Sequence, residues 1–176
     1  NMPVTAVTQI GVCNSALIKV GADRISSITE STKSAILLNA IYKQVRDSVL
    51  RDHPWNFAIK RATLNPNATT PEYEYDYTYD IPSDCLRILD TEHDSDEYEI
   101  EGRTILTNEE SLKIRYVKRA DDESEWDNLF AEAMSWRLAR EVAYNLTQSA
   151  SMVDVCDKGY KRALADARCT DGMEGT

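Results

Sequence analysis

Three groups of side chains in this sequence have types and spacings that could do chemistry. Asp52 and His53 are neighbours, a carboxylate beside the one side chain that titrates near neutrality. The run Glu92-His93-Asp94-Ser95-Asp96-Glu97 crowds carboxylate and imidazole ligands together. The chain carries 30 acidic side chains in all, enough to supply the carboxylate pair of a glycan hydrolase. Each group weakens on inspection. Adjacency in sequence does not orient an acid toward a base, and Pro54 gives His53 the separate task of ending a helix. The acidic run lacks the glycine and the closing glutamate of a calcium loop and reads as a solvated hairpin tip. Abundance of carboxylates is not placement.

Cys13, Cys85, Cys156 and Cys169 are far apart, with no CxxC pair, and His53 and His93 complete no zinc pattern. There is no glycine-rich phosphate loop, GxSxG elbow, HExxH helix or dinucleotide fingerprint. The expectation is a chain with no catalytic residue, no metal and no cofactor. Net charge is −10, and nucleic-acid binders cluster Lys and Arg instead. The nearest such run, Lys113-Ile114-Arg115-Tyr116-Val117-Lys118-Arg119, reads as the solvated face of a strand. An acidic surface still suits a conduit that repels duplex DNA and lets it slide. No apolar run approaches the length of a membrane span, so no membrane partner is expected. The start, Asn1-Met2-Pro3-Val4, lacks the basic and apolar stretches of a signal peptide, and the scattered cysteines read as the free thiols of a reduced, cytoplasmically made protein.

The elements that must position these groups follow from hydrophobic period. Ala6, Ile10, Cys13, Leu17 and Val20 form a helical stripe over residues 5–20, with Thr5 as N-cap and Gly21 as stop. Ser27-Ile28-Thr29-Glu30 has capping-box spacing ahead of a second helix over 31–52. Its inward stripe reads Ile36, Leu37, Ala40, Ile41, Val45 and Val49, with Tyr42 at the edge and Arg46 turned away. Trp55 and Phe57 follow at spacing two, an extended step that aims both rings one way as core anchors.

The period then changes to two. Residues 58–62 read as extended and 65–71 as a loop. Tyr73, Tyr75, Tyr77 and Tyr79 alternate with polar residues as a strand with an aromatic face, either a sheet core or a subunit contact. Strands over 86–91, 98–100, 104–106 and 112–116 complete an antiparallel meander, inserted over about 72–119. A third helix over 125–148, with Ser124 as N-cap, carries Trp126, Leu129, Phe130, Ala133, Met134, Leu138, Val142 and Leu146. So wide an apolar surface suits the centre of a bundle, and makes Trp126 a third core anchor. A fourth helix over 151–168 turns Val153, Cys156, Tyr160, Ala163, Leu164 and Ala167 inward, and 170–176 reads as a mobile tail. The fold class expected is α+β, predominantly α: one domain, a four-helix bundle with an inserted antiparallel β meander.

Several of these stretches carry a resemblance. The run Arg46-Asp47, then Val49-Leu50-Arg51-Asp52-His53-Pro54-Trp55-Asn56-Phe57-Ala58, is similar to the head-to-tail adaptor family of short-tailed bacteriophages, the connectors like tail tubular protein A. Cys13-Asn14-Ser15-Ala16-Leu17 with Gly21 extends the match. So do Asp80-Ile81-Pro82-Ser83-Asp84-Cys85-Leu86-Arg87, Ile100-Glu101-Gly102-Arg103 and Leu138-Ala139, in order over roughly nine-tenths of the chain. The resemblance implies a structural virion protein rather than an enzyme. It implies a dodecameric ring docked under the portal protein, extending the DNA channel and giving the tail (nozzle or tubular) protein a platform. Duplex DNA would pass through without specific binding. The isolated chain is expected to be a monomer that forms its ring on the portal. In the resembling family the C-terminal end reaches the portal, which here points to Arg168, Cys169, Thr170, Asp171 and Met173. A reading from another class is a carboxylate-dependent cell-wall glycan hydrolase carried by a virion.

Overall fold

Thr8, not Thr5, opens the first helix. Its hydroxyl accepts from the Gly11 N–H at 3.1 Å, and α1 runs Gln9–Lys19. The structure, a computed structural model, describes residues 6–93 and 95–174, with the backbone alone for 173 and 174, so Thr5 lies outside the described residues. The close of α1 is a Schellman motif. Gly21 sits at φ 74°, its N–H donates to Ile18 O at 3.1 Å, and the Ala22 N–H donates to Leu17 O at 2.9 Å. Asn14 then clamps the connector by accepting from the Ile25 N–H at 2.8 Å and donating to Ile25 O at 3.0 Å.

The second helix, α2, spans Lys33–Asp52, with Thr32 as N-cap and His53 as an extended C-cap ahead of Pro54. Ser27 and Glu30 do not cap it. The Glu30 carboxylate instead accepts the Ser26 and Ser27 N–H groups and closes a separate turn. The buried stripe is Ala35, Leu38, Tyr42, Val45, Arg46, Val49 and Leu50. It is rotated from the expected one, leaving Ile36 58% exposed and Tyr42 2% exposed. The reason is aromatic: the Tyr42 ring stacks on Trp126 at 6.4 Å, and its hydroxyl donates to Glu123 at 3.0 Å. Arg46 is buried too, paired with Asp47 at 3.1 Å.

The third and fourth helices are α3, Asn128–Thr147, and α4, Ala150–Glu174. Asp127 caps α3 by accepting from the Phe130 N–H at 2.7 Å, while Asp122 caps a short 3-10 turn at Glu123–Glu125. That turn displaces the expected start at residue 125 and the expected Ser124 cap. Gln148, at φ 54°, ends α3. α3 packs against each of the other three helices, as its wide apolar surface requires. α4 continues six residues beyond the expected end at Arg168, through Gly172, so the segment from Thr170 to Glu174 is helix.

The chain divides into two compact units: the helices, drawn from both ends of the chain, and Pro54–Arg119 between them. The second unit begins well before residue 72. After a 3-10 turn at Asn56–Ala58 come β1 Ile59–Leu64, β2 Tyr77–Asp80, β3 Cys85–Thr91, β4 Tyr98–Glu101, β5 Thr104–Thr107 and β6 Leu112–Lys118. They form two antiparallel three-stranded sheets, ordered β1-β6-β3 and β2-β5-β4, and not one meander. Among the described residues only β4 and β5, joined through Gly102 at φ 58°, pair as sequence neighbours. The two sheets share a core of Tyr79, Cys85, Ile105, Leu112, Ile114 and Tyr116. The class is therefore α+β and predominantly α, with strand pairings in the β part that hairpin logic does not give. No helix among the described residues is long and apolar enough to cross a membrane.

Candidate functional site

The residues singled out for portal contact lie on the last turns of α4, where successive positions step about 100° around the axis. They do not share a face. Arg168 and Cys169 are exposed, Thr170 and Asp171 are half-buried, and the Met173 side chain lies outside the described residues. Asp171 faces the bundle, its Oδ2 in contact with Nε2 of the buried His53. The end of α4 is thereby tied to the end of α2, which the expectation of a mobile tail did not include.

Asp52 and His53 are neighbours with different partners. The Asp52 carboxylate accepts from the Tyr160 hydroxyl at 2.5 Å and lies 3.5 Å from Arg137 Nη1. Tyr160 is buried, and both burial and Asp52 hold its hydroxyl protonated well above the usual range. The guanidinium carbons of Arg137 and Arg140 lie 5.3 and 5.7 Å from the Tyr160 ring centroid. Glu141 accepts from both at 3.1 Å, and Arg140 reaches Asp157 at 2.9 Å. Burial alone would lower the Arg140 pKa; its bonds to Asp157 and Glu141 raise it instead. Lys161 and Arg140 hold Asp157 ionised below the usual carboxylate range. This is a polar seam joining α2, α3 and α4, and each charge in it is opposed by another. It binds the helices together.

The anchor residues separate. Trp126 is buried in the helical unit, its indole N–H donating to Ala120 O at 2.8 Å and its ring edge-on to Phe130 at 4.7 Å. Trp55 is buried, whereas Phe57 is half-buried. The extended step expected between them is absent, because Asn56–Ala58 is a 3-10 turn. The tyrosine ladder also breaks. Glu74 takes φ 76°, Tyr73 is 80% exposed, and only Tyr77 and Tyr79 are in a strand. Tyr79 is a fully buried core ring whose hydroxyl donates to Glu109 O at 2.5 Å. In the acidic run, Asp94 lies outside the described residues, and among the described residues no group of three or more His, Cys, Asp or Glu could hold a metal ion.

The sheet β1-β6-β3 holds an arrangement that the sequence reading passed over. A cavity of about 490 Å³ is lined by Arg61 and Thr63 of β1, Lys113 and Arg115 of β6, and Asp90, Thr91 and Glu92 at β3. Strand register sets Arg61 directly opposite Arg115, and Thr63 opposite Lys113. Asp90 takes Nε and Nη2 of Arg115 at 2.6–3.2 Å, and Glu92 lies 3.8 Å from Lys113. Lys113 and Arg115 alternate within one strand and were visible as such. Arg61 joins them only through pairing across about fifty residues of chain, which no local period reports. No protein-family model matches this chain, and no curated protein matches it.

Proposed function

We propose that this chain is the head-to-tail adaptor of a short-tailed phage particle. It is made in the bacterial host and built into the virion at the head–tail junction. In this reading copies form a dodecameric ring on the portal protein, extend the DNA channel and present a platform to the tail protein. The observation that carries the reading is the order of the adaptor-like motifs, spread over roughly nine-tenths of the chain and falling on both units. Two features support it. A helical unit built from both chain ends with a β unit inserted between them is the architecture that the resemblance implies. A net charge of −10 suits a conduit that duplex DNA slides through. The exposed Arg168 and Cys169 on α4 are the proposed points of portal contact. Each such contact is small, and a ring multiplies it.

Cosedimentation of the full chain with portal rings tests the reading. The chain should pellet with portal and stay in solution alone, and Arg168→Glu should weaken the pelleting. A chain that ignores portal but degrades purified cell wall would favour the hydrolase reading instead.

A further inference from the structure

Two rows of side chains cross the sheet β1-β6-β3 on one face: Arg61, Arg115 and Asp90 in the first, Thr63, Lys113 and Glu92 in the second. In both rows the acid stands at the β3 side and holds the β6 cation. Among the described residues that line the cavity, none on the β1 side is acidic. Arg61 makes no side-chain hydrogen bond or ion pair among the described residues, and neither does Nη1 of Arg115. Directly opposed residues of an antiparallel pair have Cβ atoms about 4.5–5.5 Å apart, and like charges so placed repel. The register thus sets the exposed Arg61 directly across from Arg115 on one face, beside a cavity large enough for a small ligand.

We infer that Arg61, Thr63, Lys113 and Arg115 form a binding site for a phosphate group. A bound anion would accept a charge-assisted fork from Arg61 and a further bond from Nη1 of Arg115, and so offset the repulsion between them. A carboxylate, planar with two oxygens, is satisfied by one such fork. Here a hydroxyl and an ammonium stand one row away from the guanidiniums, and donors from two rows match a tetrahedral group offering three oxygens. Three cations less the two carboxylates leave a local charge of +1, suited to one phosphate and not to a long polyanion, in a chain of net −10. This inference stands apart from the adaptor reading, which asks only that DNA slide past.

The test is a titration of the isotope-labelled full chain with inorganic phosphate, read by amide NMR shifts, with sodium chloride at matched ionic strength as control. Saturable shifts at Arg61, Thr63, Lys113 and Arg115 with Kd of about 1 mM or tighter are expected. Arg61→Ala, which breaks no bond among the described residues, should leave the spectrum folded and weaken binding about tenfold. Thr63→Val should weaken it less. A competing short DNA duplex should leave the bound phosphate in place; its displacement by the duplex would overturn the reading as a site for a single phosphate. Shifts equal to those in chloride, or acetate binding as tightly as phosphate, would overturn the assignment, as would full affinity in Arg61→Ala.

Discussion

Gly159 lies in the middle of α4, where glycine ordinarily costs a helix about 1 kcal/mol relative to alanine. Replacing it should nonetheless harm this protein. A Cβ built on Gly159 falls 2.4 Å from Cδ2 and Cε3 of Trp136 and 2.8 Å from its Cε2, inside the 3.0 Å that real Cβ atoms essentially never cross. The obstacle is the body of an indole, not the end of a flexible chain. That ring is held from another side by the Lys19 ammonium, 4.8 Å from its centroid, and Lys19 is itself fixed by Glu132 at 3.2 Å and Ser15 at 3.1 Å. Overpacking of this kind costs about 1–3 kcal/mol, and three ring atoms in the way put it at the upper end. After the helix-propensity gain, Gly159→Ala should lose about 1–2 kcal/mol, a fall in melting temperature of about 2–8 °C for a chain of this size. Urea unfolding of four proteins completes the argument: the parent, Gly159→Ala, Trp136→Leu, and the double variant. With the indole gone, the alanine should stabilise by its propensity of about 1 kcal/mol, giving a coupling energy of about 2–3 kcal/mol between the two sites. A Gly159→Ala protein more stable than the parent would refute the close approach of α4 to α3 at this point.

Trp126→Ala should cost about 3–5 kcal/mol, as should Trp55→Ala, while the half-buried Phe57 should cost less on truncation; denaturant midpoints check the order. Stability should be greatest between about pH 5 and 9 and fall on both sides. Asp84, held low by Tyr116 and Lys60 against the effect of its burial, and Asp157, held low by Lys161 and Arg140, contribute stability above the ordinary carboxylate range that is lost as pH falls. Burial, with Glu123 nearby, pushes the Cys13 thiol up to about 12, and burial likewise raises Tyr42, Tyr116 and Tyr160. Their contribution is complete below the ordinary thiol and phenol values and is lost as pH rises past them. A urea midpoint that stays level up to about pH 11 would contradict this burial. Ending the chain after Ala167 removes Asp171 from the buried His53 and should lower stability by about 1–3 kcal/mol as well as weaken portal binding. Asp171→Asn should reproduce part of the stability loss in a thermal melt.

The helices were legible because their signals are local. The stripes of α3 and α4, the stop at Gly21 and the ending of α2 at His53 before Pro54 each depend on residues within a few positions. The rotation of α2 was not legible. Apolar spacing ranks Ile36 above Tyr42, and only the distant Trp126 and Glu123 reverse that order. Hairpin β4-β5 announced itself through the short gap between the strands expected over 98–100 and 104–106, but β6 pairs with β1 and β3, and no local pattern specifies such partners. The charged face of that sheet was hidden for the same reason, since Arg61 and Arg115 become neighbours only through register. The length of α4 was underestimated because residues 170–176 read as a mobile tail. The place of Thr170 to Glu174 in the helix goes with the tie from Asp171 to His53, a contact across more than a hundred residues.

Electron microscopy of the purified full chain, alone and mixed with its portal protein, tests the adaptor proposal most directly. The account predicts no rings from the chain alone, and portal particles that gain a second ring of matching symmetry, coaxial with the channel, when the two are mixed. Portal particles unchanged by a saturating excess of the chain would contradict it.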